Sequence, residues 1–354
     1  TSDTIEVVRK TRRLKTAVLT ALAIATVLLT ILAASMGALK LTFIDTFAIL
    51  MDGVGIDVGR IVDQTQASVV WGIRLPRVVL ALLVGAILSV SGAIMQGLFR
   101  NPLAEPGLIG VSSGAALAAA TMIVLGGSFI AGLPEALQPF MLPAAAFVGA
   151  CICTYLVYAV SLHDGRLSVP TMLLAGIAFN AIGFSALGVL QYLADDNELR
   201  GLTFWMMGSL GGATWDTVRV IAIVLSIPLL GSLWLARPLN CFLLGSAEAM
   251  HLGVSIDRVT RISVVLVALG VGATVAVSGM IGFLGLVVPH LIRLAVSPDH
   301  RIVIPGSALL GACLLVAADT FARIIVVPSE MPVGIVTTLF GSPFFLFLLI
   351  KAKR

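Results

Sequence analysis

Few side chains in this sequence could do covalent chemistry. Residues 110–114 read GVSSG, the spacing of a serine-nucleophile elbow, and with His290 they could serve acyl transfer. That pattern activates a serine only at a strand-to-helix turn, and here it opens an apolar helical stretch. Ser112 and Ser113 are therefore expected to bond back to their own helix or to a neighbour. Proton or sodium coupling needs ionisable groups at mid-membrane depth, and the apolar stretches are almost empty of them. Asp319 comes nearest, but it lies at the end of such a stretch close to Arg323, which predicts a local ion pair. No G-x-x-x-x-G-K-[ST] occurs, so any ATP chemistry would belong to another chain. Cys151, Cys153, Cys241 and Cys313 have no metal-ligand spacing and read as core filler.

Two groups of residues suit contact with partners instead. Residues 244–254 read LGSAEAMHLGV and lie in the one long polar interruption of the second half, residues 237–261. Ser246 suits a helix N-cap, Glu248 the first turn, and Gly253 a C-terminal stop, with Ala247, Met250 and His251 on one side. This predicts a short helix outside the bilayer, able to dock into a cleft of a soluble protein. The second group is Arg74, Arg77 and Arg323, three arginines at external span ends where the positive-inside rule disfavours them. Snorkelling would account for each alone. Three on one face favour a patch that receives carboxylates, since the guanidinium fork binds them bidentately and stays charged. The loop with Asn101, Pro102, Glu105 and Pro106 reads as a turn and helix start.

These elements are set in a very apolar chain. Of 354 residues, 59% are hydrophobic and 11% charged, against about 25% charged in a soluble domain; the mean hydropathy is +1.09. The chain is therefore an all-α polytopic membrane protein. The net charge of +4 comes from basic residues at span ends and is no sign of nucleic-acid binding. With ~20 residues per crossing, about ten transmembrane helices are expected. They fall near 16–39, 76–96, up to 125, 139–162, 170–192, 218–235, 262–278, a half-helix and eighth span between 279 and 296, 303–318 and 333–350. A tight inner turn is expected at 163–166 and a partly amphipathic external segment at 195–215. Arg9, Lys10, Arg12, Arg13 and Lys15 place a tail, residues 1–15, in the cytoplasm. Residues 16–354 then form one transmembrane domain, and the basic end, residues 351–354, puts the C-terminus in the cytoplasm too.

Residues 85–92 read GAILSVSG and residues 272–279 read GATVAVSG, the same at five of eight positions. The first enters from outside and the second from inside, which predicts an inverted-repeat build.

Several longer runs carry a resemblance: IRLPR (73–77), SGAIMQGLFRNPLAEPGLIGVSSGAA (91–116), WMMGSLGG (205–212), LGSAEAMHLGV, SGMIGFLGLVVPHLIR (278–293), DHR (299–301) and MPVGIVTTLFGSPFFLFLL (331–349). Together they resemble the FecCD-like permease family of ABC importers for iron-siderophores, haem and cobalamin, over nearly the whole chain from about residue 67. The resemblance implies a homodimeric permease of the bacterial inner membrane, with two cytoplasmic ATPase subunits below and a periplasmic substrate-binding protein above. It implies no cofactor bound by this chain, ATP and Mg being used by the ATPase. The family's coupling helix matches Ser246, Ala247, Glu248, Met250, Leu252 and Gly253; its binding-protein docking arginines match Arg74, Arg77 and Arg323. Its cytoplasmic gate matches Ser168, Val169 and Pro170, where Val169 and Pro170 depart from the hydroxyl residues of related members. The run from 199 to 215 is most similar to haem permeases, with ferric siderophore and cobalamin as the alternatives. No cluster of histidines or aromatics independently marks a ligand.

Overall fold

The computed structural model describes residues 2–352, apart from Ala38, Lys40, Arg60, Ile61, Val62, Asp164, Gly165, Val327 and Pro328. The middle of the expected turn at 163–166, Pro328 of the external segment and the last two basic residues thus lie outside the described residues.

The first half comprises α1 (Ser2–Ser35), α2 (Phe43–Gly53), α3 (Gln64–Val69), α4 (Leu75–Phe99), α5 (Val111–Leu125), α6 (Gly127–Ala131), α7 (Gln138–Val160) and α8 (Val169–Leu193). After α9 (Asp196–Met206) come α10 (Trp215–Phe242), α11 (Ser246–His251), α12 (Ile256–Ser278), α13 (Leu284–Ala295), α14 (His300–Ile324) and α15 (Val333–Ala352). Two-residue strands, Leu162–His163 and Arg166–Leu167, pair antiparallel between α7 and α8. Among the described residues, seven helices are long and apolar enough to cross a membrane, and α5, α13 and α15 add three shorter apolar ones. This accommodates the ten expected crossings.

The boundaries differ from expectation in several places; the span expected from residue 76, for one, is continuous helix from Gln64. α1 begins at Ser2, so the basic tail continues the first span as helix. α10 runs on through Pro238 to Phe242 and α12 starts at Ile256, which narrows the interruption expected at 237–261. No half-helix precedes α13. Residues 279–283 are non-helical, with φ +66° at Gly279 and +69° at Phe283, and Pro289 sits inside α13 without ending it. A proline there orphans the carbonyl of Gly285, four residues earlier. Gln96 of α4 donates its Nε2 to that oxygen at 3.3 Å and to Leu286 O at 3.0 Å, so the freed acceptor is satisfied inside the bundle.

The two halves pack reciprocally. α4 of the first half lies against α13 and α14 of the second, while α12 of the second lies against α5 and α7 of the first. α4 and α12 carry the GAxxxVSG echo, and the apolar window of each is 78% buried, the highest share among the seven candidate spans of the described residues. Lipid gives apolar helices no hydrophobic reason to associate, so close approach through small residues has to hold them. A Cβ on Gly92 would collide with the Gly285 carbonyl, and one on Gly85 with that of Gly311. The inverted-repeat reading therefore corresponds to real packing: two equivalent central helices, each gripped by the other half.

Candidate functional site

At the face where α1 begins, α11 stands clear of the bundle. Ala249 is its buried contact, while Ala247, Glu248, Met250, His251 and Leu252 are exposed. Gly253 takes φ +80°, its N–H donates to Met250 O at 2.9 Å and that of Val254 to Ala249 O at 3.0 Å. These two bonds close a Schellman stop, as the glycine predicted. The expected N-cap is wrong by one residue. Gly245 occupies that position at φ +112°, and Ser246 is the first helical residue; a β-carbon would strain that backbone, so glycine takes the cap. Leu243 and Leu244 beside the helix are exposed too. A short capped helix with exposed apolar side chains and one carboxylate has the character of an interface.

The first turns of α12, which follow this knob, are tied to the end of α7 and the turn before α8. Leu167 N–H donates to Asp257 Oδ1 at 3.3 Å and Arg261 Nε to Tyr158 Oη at 3.1 Å. Ser168 is the N-cap of α8, accepting from Thr171 N–H at 3.4 Å, with Val169 and Pro170 opening the helix. The three residues expected as a gate thus form a helix start adjoining the first turn of α12.

Next to α11 in sequence lies a half-buried polar junction, built around the buried His300 and Gln96, that sequence reading missed. Asn240, in the last turn of α10, accepts on Oδ1 from His300 N–H and Nδ1, both at 2.8 Å, and donates to Asp299 Oδ1 at 2.6 Å. Arg293 Nη2 faces His300 Nε2 at 3.4 Å, its Nη1 donates to Gln96 Oε1, and Lys15 stands 4.0 Å from Asp299. Burial alone would raise the Asp299 carboxyl. Hydrogen bonds from the Arg301 amide and Asn240, with Lys15 and Arg301 nearby, outweigh it and hold the group below its ordinary range. The available sequence signal was an arginine and a glutamine inside apolar stretches, both of which need internal partners.

The far face holds the three arginines, in an arrangement opposite to the one expected. None faces outward: Arg74 is 4%, Arg77 7% and Arg323 8% exposed. Arg74 donates to Ala34 O at 2.8 Å, Ser35 O at 2.7 Å and Leu39 O; Arg323 donates to Ala33 O at 3.2 Å and Met36 O at 3.3 Å. Ala33, Ala34 and Ser35 end α1, whose last carbonyls have no partner of their own. Two cations thus cap the negative end of a helix dipole. Arg77 binds Asp319 through Nε and Nη2 at 2.9–3.0 Å and Glu330 through Nη1 at 2.6 Å. Arg323 Nε lies 3.2 Å from Asp319 Oδ2, the local ion pair expected, at an angle that is not a hydrogen bond's. Glu330 is the half-exposed member, its side chain 51% accessible.

Between the faces, Ser113 donates to Asn180 Oδ1 at 2.6 Å and lies 3.2 Å from Gly110 O, while Asn180 donates to Gly107 O at 2.9 Å. The GVSSG serine therefore anchors the loop before α5 to the middle of α8, and His290 packs edge-on against Phe345. A cavity of about 240 Å³ includes Glu105, Ser112, Asn180 and residues 280–283 in its lining. Partial desolvation at the cavity wall raises the Glu105 carboxyl above its ordinary range, although the residue as a whole is exposed. A larger apolar groove of about 710 Å³ runs between α13, α14 and α15, past Phe283, Phe321 and Phe344.

These features have counterparts among known proteins. The profile of the FecCD transport family matches residues 23–351. The hemin transport system permease protein HmuU of Yersinia pestis is 49% identical over 287 residues, 80% of this chain and 84% of the relative. The cobalamin import system permease protein BtuC of Halobacterium salinarum is 42% identical over 288 residues, 81% and 75% of the two chains. A solved metal-chelate type ABC transporter in an inward-facing conformation superposes with a TM-score of 0.82 at 29% identity, covering 95% of this chain and 99% of that one. A multi-pass bundle of inverted halves, an exposed helix outside the spans and a profile match over almost its whole length make this chain a membrane permease of the FecCD transport family.

Proposed function

We propose that the chain is the permease of a binding-protein-dependent ABC importer that moves haem into the cytoplasm. It works as a homodimer in the bacterial inner membrane with both termini inside. Two ATPase subunits, which use ATP and Mg, dock on α11 of the two protomers, and closing of the ATPases displaces α11 to switch the open face of the pathway. The chain does no covalent chemistry. The observation that carries this reading is α11 itself: exposed Glu248 and Met250, flanked by exposed Leu244 and Leu252, on a helix closed at its C-terminal end by Gly253 and resting on the buried Ala249.

Haem is preferred over cobalamin or a ferric siderophore because the HmuU relative is closer in sequence than the BtuC relative. A binding protein would approach the far face. Its carboxylates can reach a buried arginine in one way that the geometry supports, by replacing Glu330 on Arg77 Nη1.

The test is uptake into proteoliposomes holding this chain, its ATPase and the binding protein, with haem, cobalamin and a ferric siderophore offered in turn. ATP-dependent haem uptake that ignores ionophores is the expected result. Uptake that persists without the ATPase and collapses with an ionophore would overturn the reading in favour of an ion-coupled carrier. ATP-dependent uptake of one of the other cargoes would overturn haem alone.

A further inference from the structure

We propose that Asn240 and His300 are positioning residues for transport, transmitting displacement of α11 to the non-helical wall before α13. This rests on the reading of α11 as the ATPase dock.

The junction has a single consistent set of proton positions. Asn240 Oδ1 can only accept, so the His300 ring carries its proton on Nδ1, and the Nε2 lone pair is left for Arg293. Asn240 Nδ2 then points at Asp299. Reversing the amide would set its NH2 against two donors and its oxygen against a carboxylate. The order from Arg293 through His300 and Asn240 to Asp299 is thus directional, and every member is used. His300 is fully buried, and its slot exists because residue 97 is glycine: a Cβ there would collide with the imidazole.

The two ends of this network determine what it can do. Asn240 lies in the final turn of α10, and Leu243 N–H bonds to its carbonyl at 3.3 Å on the way to α11. At the other end Arg293 holds Gln96, and Gln96 holds Gly285 O and Leu286 O, the carbonyls just after Phe283. Phe283 lines both the small cavity and the apolar groove. A movement of α11 carried by the end of α10 therefore reaches the intramembrane wall through hydrogen bonds whose partners are all committed. Satisfied polar networks resist partial rearrangement, because breaking a bond to His300 or Gln96, the two enclosed members, leaves a buried group unpaired. Apolar packing of equal volume would hold the helices together as well, but it would let them slip.

The experiment compares ATP hydrolysis and cargo uptake in the same proteoliposomes, using the whole complex with its ATPase and binding protein. Asn240→Leu and His300→Leu should keep ATPase association and hydrolysis while uptake per ATP falls about tenfold. His300→Gln can still accept from Arg293 and donate to Asn240, and should recover most of the loss. Gln96→Met cuts the far end of the same network and should uncouple in the same way; it decides the matter if the leucine variants fail to insert. Unchanged uptake per ATP in the inserted variants, or uptake lost only in step with ATPase binding, overturns the proposal. Failure of the α11 reading shows separately, as ATPase association that ignores Glu248→Lys and Met250→Glu.

Discussion

Arg77 and Asp319 are 242 residues apart in sequence, yet Nε and Nη2 of the arginine meet the carboxylate at 2.9–3.0 Å. The pair joins α4 to α14, with side chains 9% and 2% exposed. A buried pair of this kind adds little stability over an apolar one, but removing a single partner strands a charge. Asp319→Ala would leave Arg77 and Arg323 facing each other without their shared carboxylate. The expected cost is about 3–5 kcal/mol, read as a large drop in melting temperature in detergent. Asp319→Glu should lose much less. Equal melting of Asp319→Ala and the parent would mean that the pair is not structural.

Glu330 holds the same arginine from the solvent side at 2.6 Å, with about half of its side chain accessible. Exposed ion pairs contribute only ~0.2–1 kcal/mol, so an incoming carboxylate can compete for Arg77. If the binding protein docks by that exchange, Glu330→Gln removes the competitor and should tighten docking several-fold at low salt, with a steeper salt dependence. Surface-immobilised binding protein and detergent-solubilised permease give the affinity directly. Weaker docking in this variant would show instead that Glu330 is itself part of the contact.

The parts of the molecule read well from sequence are those decided locally. A crossing helix is signalled by ~20 apolar residues, and α11 by a glycine whose left-handed φ stops it. The arginines misled because their partners are remote. Nothing around Arg74 announces that the bare carbonyls of Ala34 and Ser35, some forty residues earlier, will need donors. The same holds for Pro289, which by local rules should end a helix and does not, since Gln96 from another helix serves the acceptor it frees. In lipid an unpaired polar group is costly, so distant polar residues find one another, and their pairing is invisible to periodicity. His300 was legible only as part of a motif. Its role depends on Gly97 leaving room for the ring.

Glu105 offers a test through pH. Partial desolvation raises its carboxyl, so the folded state holds this proton more tightly than the unfolded chain does. Its contribution is then most favourable in acid and is lost as pH rises through the folded-state pKa. Glu105→Gln keeps the shape and removes the charge. The variant should melt higher than the parent at pH 7.5, and the gap should close as pH falls below the ordinary glutamate range. A gap that widens in acid would mean the carboxylate is stabilised by a cation instead.

Gly253 is where local structure and partner contact meet. Its φ of +80° costs a residue with a Cβ about 1–2 kcal/mol, and nothing lies within 4 Å of the place a Cβ would occupy, so no clash adds to that. Gly253→Val should therefore leave the bundle folded and inserted, since α11 touches it mainly through Ala249, but fray the Schellman stop and reorient Met250 and Leu252. The expected result is an unchanged melting profile for the isolated permease together with ATPase subunits lost during purification. Gly253→Asn should behave much closer to the parent, because asparagine tolerates the left-handed region better than other residues with a Cβ. That graded order, glycine above asparagine above valine, separates a backbone requirement from a contact with the glycine itself. Full ATPase retention in the valine variant would reduce α11 to a connector between α10 and α12.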